Sequence, residues 1–172
     1  QATRLWLAHD ATHLYAAFDA EGEDCPRSRD RASTDTVSVL TAPHVALRID
    51  LPENDRTTVR EFIATAHGPM AQSRNGSWRW NGAWQAASRP NASGYRVEMA
   101  IPWETLGVER PPKQARIAVT RQSLYPRPGV QGWPVVREDA QTVALRLDVN
   151  TPPESAAAAP TPDWRAALDE LS

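Results

Sequence analysis

The stretch "HVALRIDL", residues 44–51, alternates without a break: Val45, Leu47, Ile49 and Leu51 fall on one side, Arg48 and Asp50 on the other. Successive side chains of an extended chain point to opposite faces, so this pattern is a strand with one face in a core and one polar face. The same alternation recurs in "YRVEMAI" (95–101), with Tyr95, Val97, Met99 and Ile101 set against Arg96 and Glu98. It recurs again in "TVALRLDV" (142–149), with Val143, Leu145, Leu147 and Val149 against Arg146 and Asp148.

Five weaker strand candidates surround these three: 4–9, 13–20, 60–67, 79–86 and 116–120. Turns rich in Pro, Gly, Asn and Asp separate them, and helical periodicity is nearly absent before residue 150. Eight short strands in that arrangement predict an all-β domain over residues 1–150, an antiparallel β-sandwich of immunoglobulin-like or jelly-roll-like type. Residues 151–162, "TPPESAAAAPTP", read as an extended Pro/Ala-rich linker. A short amphipathic C-terminal helix is expected over 163–171, started by Thr161 and Pro162, with Trp164, Ala167, Leu168 and Leu171 on one face. It would dock on the sandwich or on a further domain. The chain opens almost at once into a strand, which reads as a sandwich whose N-terminal strand is missing.

Composition narrows the function classes. The 172 residues carry a net charge of −2, so no basic field recruits nucleic acid or an anionic membrane surface. No apolar run approaches the roughly 20 residues of a membrane span. Cys25 stands alone, which excludes a disulfide framework and a cysteine metal site. Gln1 is not an initiator methionine, so the expectation is a processed or excised piece of a longer bacterial protein.

Four segments in order carry a resemblance: "LWLAHDATHLYAAFDAEG" (5–22), "HVALRIDL" (44–51), "FIATAHG" (62–68) and "WNGAWQAASRPNASGYRVEMAIPWETLGV" (80–108), the last with its Glu-x-x-Ile-Pro-Trp and Leu-Gly. The segment "ARIAVTRQ" (115–122) follows in place. Across roughly residues 4–148 the chain resembles the family 9 carbohydrate-binding modules, sandwich domains attached to glycan-degrading enzymes. The resemblance implies a non-catalytic accessory module, a glycan or oligosaccharide ligand, and in some members structural calcium. It also implies a sugar held between two tryptophans. The first of those positions falls near residues 40–43, where this chain has no aromatic residue. The second falls on a late loop, where Trp133 stands in "GVQGWPVV". The acidic residue of the family's second strand is Ala46 here.

Candidate ligand contacts follow from strand parity together with that resemblance. Trp133 in its Gly/Pro-rich loop is a stacking candidate, since an indole face packs against a pyranose C–H face. Among Trp78, Trp80 and Trp84, the family pattern makes Trp80 and Trp84 core residues and leaves Trp78 as a second contact. An Asn81-Gly82 hairpin is the competing reading of that stretch. Trp103 reads as packing. Arg48, Arg121, Thr65 and His67 are the polar contact candidates, with Arg121 on the core-facing parity of Ile117 and Val119. The pairs Arg48/Asp50, Arg96/Glu98 and Arg146/Asp148 would form a charged ladder if their strands share a sheet. Asp19, Glu21, Glu23, Asp24 and Asp30 are the calcium candidates, although Arg27, Arg29 and Arg31 interrupt them.

No nucleophile–base pair, His-x-x-x-His helix or Gly-x-Ser-x-Gly elbow is present. The expected function is therefore non-catalytic carbohydrate binding within a larger secreted, periplasmic or envelope protein, with other domains of the parent polypeptide as partners. A structural or protein-interaction sandwich is the first alternative. The second is a haem-binding sandwich, for which only Met70, Met99, Lys113 and the four histidines could supply ligands.

Overall fold

The computed structural model describes residues 2–23, 25, 36–53, 56–124, 128–133 and 143–146. The alternating stretches form strands as their period demands. In chain order these are β1 (Thr3–His9), β2 (His13–Glu21), β3 (His44–Glu53), β4 (Arg56–Thr65), β5 (Met70–Arg74), β6 (Gln85–Asn91), β7 (Gly94–Pro102), β8 (Gln114–Ser123), β9 (Gly129–Trp133) and β10 (Val143–Arg146). One described helix, α1 (Thr36–Thr41), precedes β3.

The strands make two antiparallel sheets. The smaller has the order β1-β2-β7-β6. The larger runs β5-β4-β3-β8, and β8 is lined along its far edge by two short strands end to end. β10 covers Gln114 to Ile117, and β9 covers Val119 to Ser123. The inward residues of both sheets meet in one core that includes Phe18, Leu47, Ile49, Phe62, Tyr95, Val97, Met99 and Ile101. This is the all-β sandwich that the period-two pattern demands.

Trp103 is 1% exposed, and its indole N–H donates to the Asp10 carbonyl at 3.0 Å. Trp84 packs edge-to-face on Phe62, with ring centroids 5.1 Å apart, and Trp80 meets the same ring at 6.0 Å. Both tryptophans are thus core packing, as the family pattern implied. They seal the sandwich where β6 faces β4 and β5, and the Trp84 N–H donates to Gln72 of β5 at 2.9 Å.

Several expectations need correction. Residues 79–84 are irregular, and the strand expected over 79–86 begins only at Gln85. The tight Asn-Gly turn is six residues earlier than Asn81-Gly82: Asn75 and Gly76 have φ of 50° and 77°, and Arg74 bridges Ser77 across them. Positive φ at both central positions is the hairpin geometry that Asn-Gly favours. Helix α1 was not expected. It places Val39 over Ala46, Ile63 and Ala71, and so buries small and apolar residues on the outer face of the larger sheet.

The charged ladder does not form, because Arg96 and Glu98 belong to the smaller sheet while Arg48 and Asp50 belong to the larger. Arg96 lies 3.6 Å from Asp19, and Arg4 lies 2.8 Å from Glu21. Those two calcium candidates therefore have arginine partners. The Glu23 carboxylate accepts the Leu124 N–H at 3.2 Å. Asp24, Asp30, Asp148, the linker and the C-terminal helix lie outside the described residues. Among the described residues no group of three His, Cys, Asp or Glu side chains could hold a metal ion, and no helix is long and apolar enough to cross a membrane.

Candidate functional site

Strand order decides which sequence candidates can meet. β9 and the turn after β5 lie at opposite edges of the larger sheet, four strand spacings or about 19 Å apart. Trp78 in that turn is 37% exposed and is therefore remote from Trp133. Arg48 and Arg121 are separated by the sheet itself. Arg48 projects from the outer face, where its guanidinium grips Asp50 with bonds of 2.8 and 3.2 Å. Glu61 stands opposite Arg48 on β4. Burial raises the Glu61 pKa, and the Arg48 charge pulls the other way.

Thr65 ends β4 and is 1% exposed, with no hydrogen-bond partner for its hydroxyl among the described residues. It pairs with His44, on the opposite face from Arg121, whose register neighbour on β3 is Val45. His67 lies in the β4–β5 turn, with Nε2 3.1 Å from the Cys25 carbonyl. The six candidates therefore do not form a single site.

Two of them lie on neighbouring strands. Arg121 lies on the inner face of β8, and β9 runs alongside, with Gln131 opposite Arg121 and Trp133 opposite Val119. Across the open edge of the sandwich stands β1. Between these strands is a cleft of about 300 Å³, lined by Thr3, Leu5, Phe18, Val119, Thr120, Arg121, Gln131 and Gly132. This is the small end of ligand pockets, with room for about one or two sugar rings. Leu5, Phe18 and Val119 give it an apolar wall, while Arg121 and Gln131 supply polar ends.

Arg121 is 2% exposed. One guanidinium nitrogen, Nη1, donates to the Ala2 carbonyl at 3.1 Å and to the Thr3 hydroxyl at 3.2 Å. The group lies 5.8 Å from the centre of the Tyr95 ring, a cation–π contact. Its Nε and Nη2, and the Tyr95 hydroxyl, have no hydrogen-bond partner among the described residues. Burial pushes the Tyr95 phenol up, and the Arg121 charge opposes that push. The phenol is therefore a neutral O–H at any ordinary pH.

Sequence reasoning missed most of the lining. Thr3 and Leu5 belong to an edge strand read only as "RLWLAH", and Gln131 and Gly132 belong to a strand read as loop. It also passed over Trp6, which is 51% exposed on the outer face of the smaller sheet. Parity shows why: Leu5 and Leu7 pack on the core, so Trp6 must point out. In register behind Trp6 stand Ala17, then Glu98, then Ala87.

No family model and no curated protein sequence matches the chain. Among solved structures it is similar to a Bacteroides uniformis chain described as a "putative carbohydrate-binding protein". The TM-score is 0.57 at 14% identity, over 76% of this chain and 68% of that one. The likeness is one of fold.

Proposed function

We propose that this sandwich is a non-catalytic carbohydrate-binding domain that takes its ligand in the cleft between β1 and β9. The observation that carries this reading is the cleft itself. It has an apolar wall for a pyranose face, a buried arginine with two nitrogens unpaired among the described residues, and a short strand that ends at Trp133. The fold likeness to a protein described as carbohydrate-binding supports it, as does the family 9 resemblance of the sequence. Trp133, which β9 carries in register with Val119, is the residue proposed to stack on the sugar, and Gln131 and Thr3 would bond its hydroxyls. Trp78, Arg48, Thr65 and His67 would then lie outside this ligand's reach.

A glycan array followed by calorimetry tests the function. Binding of an oligosaccharide, weakened about tenfold or more by Trp133→Ala, supports it. No binding at millimolar concentration refutes it. A second reading rests on Trp6: an exposed indole beside Ala17 could instead pack against another domain. Trp6→Ala should leave glycan affinity unchanged under the first reading.

A further inference from the structure

We infer that the outer face of the smaller sheet is a docking surface for a protein partner that lays an arginine side chain between Trp6 and Glu98. This goes beyond the glycan reading, which concerns the opposite, inward face of β1.

Strand register frames the site. Trp6 of β1, Ala17 of β2 and Glu98 of β7 stand in one row across the sheet, all on its outward side. Two strand spacings put the Cα atoms of Trp6 and Glu98 about 10 Å apart. Only the Ala17 methyl stands between them, so an indole and a carboxylate flank a low floor. Trp6 is 51% exposed, a large apolar side chain held in water on an open sheet face.

Glu98 is left out of the ion pairs on this face. Arg4 reaches Glu21 at 2.8 Å, and Arg4 and Arg96 lie 3.8 and 3.6 Å from Asp19. Arg96 is two residues from Glu98 on the same side of β7, yet it turns to Asp19 instead. The Glu98 Oε2 is shut off from solvent and has no hydrogen-bond partner among the described residues. A carboxylate oxygen that has lost its water without gaining a donor is a cost to the fold, and a cation held beside the group offsets it.

The gap selects the kind of cation. A guanidinium is planar, so it stacks on an indole face while its edge donates to a carboxylate. Lying over Ala17, it does both at once. A lysine ammonium is a compact, strongly hydrated point charge and lacks the flat face for the indole. An open sheet face buries little of a small free ligand, so the arginine is carried on a larger protein surface that covers Trp6 as well.

The test titrates the whole chain with the peptide acetyl-Gly-Ala-Arg-Ala-Gly-amide and with its citrulline counterpart, which keeps the planar shape but carries no charge. Backbone amide and indole N–H signals are followed by NMR. The arginine peptide should shift Trp6, Ala17 and Glu98 and bind about fivefold more tightly than the citrulline peptide. Added salt should narrow that ratio. Glu98→Gln should bring the two peptides within about twofold of each other, and Trp6→Ala should weaken the arginine peptide about threefold or more. If a variant does not fold, the wild-type comparison still decides. Equal binding of the two peptides, shifts confined to other surfaces, or no shift at about 20 mM peptide overturns the inference. None of these outcomes bears on the glycan reading, because no glycan is present.

Discussion

Asp10 closes the β1–β2 turn almost alone. Its Oδ1 accepts from the backbone N–H groups of Thr12 and His13, both at 2.7 Å, and from the Thr12 hydroxyl at 2.8 Å, while Oδ2 accepts from the Tyr15 hydroxyl at 2.9 Å. Burial alone would raise its pKa, but these bonds outweigh it and hold the carboxyl well below the usual carboxylate range. A depressed folded value means the stabilisation is complete above the unfolded value, about 3.9, and is lost as pH falls through the folded one. Asp10→Ala should therefore cost about 1 kcal/mol at neutral pH, because the turn is exposed and screened. The difference from wild type in urea melts should shrink below about pH 4. At the same scale, Arg121 was legible from parity with Ile117 and Val119, which placed it between the sheets. Its bonds to the Ala2 carbonyl and the Thr3 hydroxyl were not legible, because they join residues 119 and 118 positions apart.

At the scale of elements, two glycines set where strands turn and meet. Gly76 sits at φ 77° in the β5 hairpin, where a Cβ is strained, so Gly76→Ala should cost about 1 kcal/mol in chemical denaturation. Gly94 begins β7 directly against β2, where a Cβ would overlap the Ala20 carbonyl oxygen. Gly94→Ala should cost about 2–3 kcal/mol, because the obstructing atom is backbone and cannot swing aside. A smaller loss would mean that β2 and β7 can part at this end. The long alternating strands β3 and β7 were readable because one face of each is buried, which fixes the period. The stretch from Trp78 to Trp84 was not, because Trp80 and Trp84 reach the core from irregular chain while Trp78 stays exposed. There Gly82 lies under the Trp80 ring, so parity has no meaning. Strands β5 and β9 span five residues each and carry too little pattern to register.

For the whole molecule, the two edges of the sandwich differ in what fills them. Trp80 and Trp84 close the side between β6 and β5, whereas the side between β1 and β9 is left open over Arg121. On the open side β8 pairs with two short strands in place of one long one, and no local pattern announces that pairing. The cleft also lies where the edge strands β1 and β9 each have a single described neighbour, which leaves both free to adjust around a ligand. At 19.0 kDa the chain is small enough for residue-by-residue amide NMR. Titration with a bound oligosaccharide should shift the amides of Thr3, Leu5, Val119, Thr120, Gln131 and Gly132, and leave those around Trp6 and Trp78 in place. Shifts confined to the outer face around Trp6 or to the Trp78 turn, with the β1–β9 cleft silent, would contradict the account.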